Sequence, residues 1–152
     1  MVLKQQTTLL KILLADDDID DRFFFAKALK ELSITTHLTI VHDGEQLMDY
    51  LSAHLKDLPD ALFLDLSMHR KSGFECLAEI KEDALLKDMP VIMFSTSFPR
   101  DVNYEQGLIK TLFKMGANDF IRKPSDFSLL KEVIYKSLKK VVEDKKAKEV
   151  DE

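Results

Sequence analysis

The stretch Ala61-Leu62-Phe63-Leu64-Asp65-Leu66-Ser67 (residues 61–67) decides the fold, because four apolar residues end in a single carboxylate. The apolar run is too short for a helix that fills a core, and turn-forming residues flank it. It therefore predicts a buried parallel strand. Asp65 taken alone favours a turn cap, since Asp is common at strand ends. The residues at the ends of the other strands favour a ligand site instead.

The rest of the chain alternates between strand and helix patterns. Strands are predicted at 9–15, 36–41, 91–94 and 118–122, and a helical pattern follows each strand, including the one that ends at Asp65. Five strands and five helices predict an α/β fold, a doubly wound five-stranded parallel sheet with helices on both faces. Helical spacing predicts core-facing side chains in the first and third helices, namely Phe24, Phe25, Ala28, Leu29, Leu32, Phe74, Leu77, Ala78 and Leu85.

Length and composition indicate one globular domain. The 152 residues, with a net charge of −5 and scattered basic residues, lack the basic surface that nucleic acid or an anionic membrane requires. One cysteine excludes an internal disulfide, and no signal peptide or membrane span is evident, so we expect a cytoplasmic protein. We expect a disordered or extended leader at 1–8, a domain at 9–142 and a charged, fraying tail at 143–152.

Polar side chains follow the predicted strands and should meet at one edge of the sheet. They are Asp16, Asp17, Asp65, Ser95 and Lys123. Carboxylates a few ångströms apart repel by several kcal/mol at an effective dielectric constant of about 20, so the arrangement calls for a cation. Oxygen ligands favour Mg²⁺, which completes its shell with water and phosphate oxygens. Asp65 is then placed as a nucleophile that can become phosphorylated.

Five acids lie between residues 16 and 21, more than a strand end needs. Asp18 or Asp20 can cap the following helix, and acids there suit the helix dipole. Capping accounts for about two of the five.

Four motifs carry a family resemblance: residues 14–18 (Leu-Ala-Asp-Asp-Asp), residues 64–68 with Gly73, residues 90–96, and Gly116-Ala117-Asn118 followed by Lys123-Pro124. Together they make the chain resemble the receiver domain of two-component response regulators over roughly 12–141. The resemblance implies the flavodoxin-like strand order 2-1-3-4-5 and a stand-alone, single-domain regulator.

The resemblance also implies roles for individual residues. Asp65 would be the phosphoacceptor, and Asp16, Asp17 and the backbone carbonyl of Ser67 would hold Mg²⁺ with it. Lys123 would pair with the phosphoryl group, and the Lys123-Pro124 peptide bond would be cis. Ser95 would act as the switch hydroxyl, small Thr96 would leave space beside it, and Phe120 would be the aromatic that swings inward.

Three features depart from the family pattern. His69 stands where proline is common, and we expect it to be an exposed loop residue with no role as a metal ligand. Ser67 replaces a frequent asparagine. Residues 97–107 form a longer segment than usual, which implies an altered face on the fourth helix.

The predicted function is a phosphoacceptor switch. A histidine kinase or histidine phosphotransfer protein would supply the phosphoryl group, and an unknown downstream protein would receive the signal noncovalently. The protein would be a monomer or a phosphorylation-dependent dimer. Ile19, Arg22 and Phe23 are predicted to be exposed beside the site and to form part of the kinase-docking surface, although a core position for Phe23 is equally consistent with the sequence.

Two alternatives remain open. One is a receiver-like adaptor that binds partners without phosphorylation, against which the complete set of site residues argues. The other is a phosphatase of the haloacid dehalogenase type. That class places its nucleophilic Asp first in an Asp-x-Asp pattern, whereas here the acid pair precedes Asp65 and Ser67 occupies the place of the second acid.

Overall fold

A computed structural model describes residues 9–96 and 102–151. Five parallel strands form one sheet in the order β2-β1-β3-β4-β5, which confirms the predicted fold. The strands are β1 (Leu10–Ala15), β2 (Thr36–Val41), β3 (Ala61–Leu64), β4 (Val91–Ser95) and β5 (Asp119–Arg122). The helices are α1 (Ile19–Lys30), α2 (Gly44–Ala53), α3 (Gly73–Glu82), α4 (Val102–Lys114) and α5 (Phe127–Asp151).

The sheet separates two apolar cores, because neighbouring residues of a buried strand point to opposite faces. In β1, Leu13 packs with the side chains of α2, α3 and α4, whereas Ile12 and Leu14 pack with those of α1 and α5. Phe25, Phe63 and Phe94 meet edge to face in the second core, with ring centroids 4.9–6.0 Å apart. Both faces of the sheet are therefore covered, as a parallel sheet requires.

Two predicted core residues lie at the surface. Phe24 is 43% exposed and Leu85 is 66% exposed. The buried face of α1 consists of Phe25, Ala28 and Leu29, which places Phe24 at the rim, where its ring lies 6.3 Å from that of Phe127 of α5. Leu85 lies beyond the end of α3 at Glu82, and Leu86 is buried in its place.

The C-terminal helix is longer than predicted. We expected residues 143–152 to fray, but α5 continues to Asp151. The segment is rich in Lys and Glu, which are good helix formers, and the Lys145 ammonium lies 3.2 Å from the Asp60 carboxylate beside β3. No helix among the described residues is long and apolar enough to span a bilayer. The predicted leader at 1–8 and the first part of the long segment, 97–101, lie outside the described residues.

Candidate phosphoryl-acceptor and metal site

The predicted site residues meet at the carboxyl edge of the sheet. Ala15 pairs with Leu64 in the β1–β3 register, so Asp16 and Asp65, which follow directly, are neighbours across the two strands. The sheet order reverses between β1 and β3, and open α/β sheets bind ligands at such a switch point. The parallel pairing of β1 with β3 thus brings together two acids that are far apart in the sequence.

Asp16, Asp17 and Asp65 form an acidic cluster, in which one oxygen from each lies within 4.8 Å of the others. Asp16 is fully buried and Asp65 is nearly so, whereas Asp17 is half-buried. The Asp18 amide donates to Asp16 Oδ1 at 2.9 Å, and the Ser67 amide lies 3.4 Å from Asp65 Oδ1. These amides orient the carboxylates, and each carboxylate oxygen can accept a further bond from a ligand.

The electrostatics of the cluster are strained without a cation. The pKa of Asp65 is raised to about 6, chiefly by burial; the negative charges of Asp16 and Asp17 also raise it, whereas Lys123 opposes the shift. Burial also raises the pKa of Asp16, although Lys123 opposes it. One buried lysine therefore does not fully compensate the carboxylates. Because the candidate ligand atoms are all oxygens with excess negative charge, the residues fit a hard divalent cation such as Mg²⁺.

Lys123 supplies the positive charge of the site. Its side chain is 7% exposed, and its Nζ lies 2.7 Å from Asp16 Oδ2, 2.9 Å from Asp21 Oδ2 and 3.6 Å from Asp65 Oδ2. Burial opposes the charged form, but the carboxylates of Asp65 and Asp16 outweigh it, so the pKa of Lys123 lies above its ordinary value. The ammonium group is held at the site as a permanent cation.

The structure also places the predicted switch residues. Ser95 is buried at the end of β4, and its carbonyl accepts the Lys123 amide at 2.7 Å. Thr96 is exposed beside it, and Phe120 is half-buried against the core formed with α2, α3 and α4. The Lys123-Pro124 peptide bond is trans, because no peptide bond among the described residues is cis, so the cis expectation was wrong.

The loop after β3 is held by a close backbone approach. Ser72 and Glu75 form a capping box at the start of α3, and the Gly73 amide donates to the Leu66 carbonyl at 2.9 Å. A Cβ at Gly73 would lie 2.2 Å from the Asp65 carbonyl oxygen. Only glycine therefore allows α3 to begin this close to the Asp65 backbone.

Two residues of the site were not anticipated in these roles. His69 is exposed as predicted, but its Nδ1 lies 2.7 Å from Asp17 Oδ2, and its amide donates to the same oxygen at 3.2 Å. Asp21, in the first turn of α1, binds Lys123. The sequence signal for Asp21 was the excess of acids at 16–21, of which capping uses Asp18, whose side chain accepts the Asp21 amide.

Ile19 and Phe23 lie on the exposed side of α1 next to the site, 72% and 61% exposed. Arg22 does not share this exposure, and that part of the prediction was wrong. It is half-buried because its guanidinium reaches back and donates to the Asp16 carbonyl at 3.0 Å. Arg22 therefore supports the backbone of the acidic cluster.

A doubly wound sheet with three carboxylates and a buried lysine at its switch point defines a class of α/β proteins built around an acidic phosphoryl or metal site. The family model of the response regulator receiver domain matches residues 12–135. The chain therefore belongs to the receiver domain family of two-component systems, which signals through phosphorylation.

Curated relatives and solved structures agree with this assignment. The response regulator Rcp1 of Synechocystis is 33% identical over 120 residues, covering 68% of this chain and 82% of Rcp1. FilR2 of Methanothrix harundinacea, a probable methanogenesis regulatory protein, is 28% identical over 81% of this chain and 77% of its own length.

Among solved structures, the phosphorylated cyanobacterial phytochrome response regulator RcpA has a TM-score of 0.72 and 32% identity, covering 84% of this chain and 89% of RcpA. The Mn²⁺-bound form of Rcp1 has a TM-score of 0.69 and 27% identity, covering 82% of this chain and 88% of that chain.

Proposed function

We propose that the chain is a phosphoacceptor switch in which Asp65 receives a phosphoryl group from a histidine kinase or histidine phosphotransfer protein. The observation that carries this proposal is the position of Asp65, buried between Asp16, Asp17 and Lys123 at the carboxyl edge of the sheet. The phosphorylated RcpA relative supports the same role by similarity.

The transfer requires few catalytic groups, because phosphoryl transfer depends mainly on positioning and charge neutralisation. An oxygen of Asp65 forms a bond to phosphorus while the bond between phosphorus and the donor imidazole nitrogen breaks. The electron pair of that bond returns to the imidazole. Lys123 stays protonated and donates to an oxygen of the transferred group, which spreads the added negative charge.

We propose Asp16, Asp17, Asp65 and the backbone carbonyl of Ser67 as the residues that would hold Mg²⁺. When bound, the ion would neutralise the carboxylates and polarise the phosphoryl oxygens. The uncompensated charge around Asp65 and the Mn²⁺-bound Rcp1 relative support this assignment. His69 would remain outside the ligand set and fix the orientation of Asp17 through its two contacts to Oδ2.

The output would follow from a shift between two forms of the face built from α4, β5 and α5. Ser95 is buried at the end of β4, where it pairs with Arg122 of β5 and its carbonyl accepts the Lys123 amide. From this position its hydroxyl would turn toward a phosphoryl group on Asp65. Phe120 would move inward from its half-buried position as the hydroxyl does so. A partner protein would bind the altered face noncovalently.

The test uses acetyl phosphate as a small donor, with and without Mg²⁺, and intact mass as the readout. Wild-type protein should gain one phosphoryl group only with Mg²⁺, and Asp65→Asn should gain none while keeping its circular dichroism spectrum. Labelling retained in Asp65→Asn would refute the assignment of Asp65. Folded, metal-binding wild-type protein that gains no mass would favour the phosphorylation-independent adaptor, and steady phosphate release from a generic monoester would favour a phosphatase.

A further inference from the structure

Asp21 is a fourth acid at the site, and it contacts the Lys123 ammonium from the first turn of α1. It is the third residue of α1, and its side chain is 34% exposed. It reaches Lys123 because Asp18 caps the helix and thereby fixes the phase of the first turn. The residue thus contacts the phosphoryl-binding lysine without belonging to the three-carboxylate cluster.

The contacts of the Lys123 ammonium determine its orientation. An ammonium group carries three N–H donors, and a buried donor needs an acceptor. Asp16 Oδ2 and Asp21 Oδ2 lie at full hydrogen-bond distance, 2.7 and 2.9 Å, whereas Asp65 Oδ2 is 3.6 Å away. The ring of Phe94, with its centroid 5.2 Å from Nζ, bounds the ammonium on the core side. Two N–H bonds are therefore committed, which leaves the third for the Asp65 side.

We propose that Asp21 is a positioning residue for phosphoryl transfer: it accepts one N–H of Lys123 so that another N–H faces the oxygen of the group arriving on Asp65. The inference rests on the proposed function of Asp65. It assigns Asp21 neither to the metal nor to the reacting atoms, because the Asp21 side chain contacts Lys123 and is not one of the three clustered carboxylates.

The essential property of Asp21 in this role is its acceptor oxygen. Its negative charge has the opposite effect on transfer, since it adds to the charge that already opposes an incoming phosphoryl group. Asp21→Asn keeps an acceptor oxygen and removes the charge, whereas Asp21→Ala removes both. The two variants therefore separate the effect of orienting the Lys123 ammonium from the effect of the negative charge of Asp21.

The matched control is Asp20→Ala. Asp20 lies in the same turn of α1 and is exposed, so its replacement causes the same loss of an acid near the helix N-terminus. A fall in rate that is specific to Asp21→Ala cannot then arise from the helix dipole or from a general loss of negative charge.

The experiment measures the initial rate of phosphorylation of the full chain by acetyl phosphate at saturating Mg²⁺. In this reaction an oxygen of Asp65 binds phosphorus while the bond between phosphorus and the acetate oxygen breaks, and acetate leaves with the electron pair. Asp21→Ala should be about tenfold slower, the effect of losing one hydrogen-bond acceptor of the ammonium. Asp21→Asn and Asp20→Ala should stay close to the wild-type rate, and Mn²⁺ affinity measured by electron paramagnetic resonance should be unchanged in all three.

A second measurement does not depend on phosphorylation. The Lys123 ammonium should give a slowly exchanging ¹⁵N signal in wild-type protein and in Asp21→Asn, and exchange should accelerate in Asp21→Ala. Wild-type rates in Asp21→Ala, or equal slowing in Asp21→Asn, would overturn the positioning role. Wild-type protein that accepts no phosphoryl group would refute the proposed function instead, and the ammonium signal would then decide the role of Asp21 alone.

Discussion

Asp65 is held in an environment that opposes its own charge. Its folded-state pKa of about 6 lies above the ordinary value of 3.8, because the side chain is buried and lies among other acids. Between these two values the folded state binds more protons than the unfolded state, so stability falls as pH rises through this window. The proposed function requires the ionised form as nucleophile and metal ligand, so the buried charge of Asp65 would lower stability in return for that role.

This cost predicts that Asp65→Asn stabilises the metal-free protein. The asparagine carries no charge to bury, so the free energy of unfolding in EDTA at about pH 7 should exceed that of wild type by about 1–3 kcal/mol. The difference should shrink as pH falls toward about pH 3, below both pKa values, where the wild-type carboxyl is protonated in both states. Urea unfolding followed by circular dichroism across this range measures both effects.

Added Mg²⁺ serves as the control for this prediction. A cation that binds only the native state stabilises wild type, and Asp65→Asn has lost one of the proposed ligands. The difference in unfolding free energy that favours Asp65→Asn over wild type should therefore become smaller or change sign when EDTA is replaced by Mg²⁺. A variant less stable than wild type in EDTA at neutral pH would contradict the electrostatic account of the site.

The close contact of two elements, β3 and α3, rests on Gly73. A methyl group there would lie 2.2 Å from the Asp65 carbonyl oxygen. The atoms that it would meet belong to the backbone, so they cannot turn aside as a flexible side chain could. Gly73→Ala should therefore destabilise the protein by about 1–3 kcal/mol, the usual cost of overpacking. It should also weaken Mg²⁺ binding, because the backbone that must give way carries Asp65 and leads to the Ser67 carbonyl.

Gly107 provides the matched control for Gly73. It lies within α4, and a Cβ there would meet nothing within 4 Å. Gly107→Ala should raise stability by about 0.5–1 kcal/mol, because alanine loses less backbone entropy in a helix. Thermal unfolding of both variants checks the pair, and a harmless Gly73→Ala would show that the approach of α3 to Asp65 is not tight.

At the scale of the whole molecule, the architecture and the position of the site were predictable from the sequence. Short apolar runs mark buried strands, and parallel strands present their carboxyl ends at one edge, so Asp16, Asp65 and Lys123 were expected at the same edge. The strand order that makes β1 and β3 neighbours came from the resemblance to receiver domains. Hydrogen-bond partners inside the site depend on finer geometry.

The details that the sequence did not predict depend on helix phase and on tertiary contacts. The assignment of Phe24 to the core failed because α1 turns Phe25 inward instead. The contact of Asp21 with Lys123 required knowing that α1 begins at Ile19. The full length of α5 depends on packing and on the pair between Lys145 and Asp60, since a charged segment alone gives no sign of its partner.

The orientation of α1 that buries Phe25 also exposes an apolar patch next to the site, which we define as Ile19, Phe23 and Phe24. The rings of Phe23 and Phe24 meet edge to face with centroids 5.3 Å apart. A cavity of about 100 Å³ beside the patch is lined by Phe24, Phe94, Phe127 and Lys123, among others. An exposed aromatic surface rimmed by charges is typical of a protein-binding site. We propose that the patch binds the phosphodonor protein.

Phe23→Ala should therefore slow transfer from a phosphorylated histidine phosphotransfer protein by about tenfold, the effect of losing a moderate interface hot spot. Phosphorylation by acetyl phosphate should keep its wild-type rate, because a small donor needs no docking surface and the exposed ring contributes little to folding. Leu85→Ala is the control, since Leu85 is similarly exposed but lines a groove with Pro59 and Pro90, which precede β3 and β4 at the opposite edge of the sheet. Equal rates from the protein donor for Phe23→Ala and wild type would exclude Phe23 from docking, whereas equal slowing with both donors would place its effect within the site.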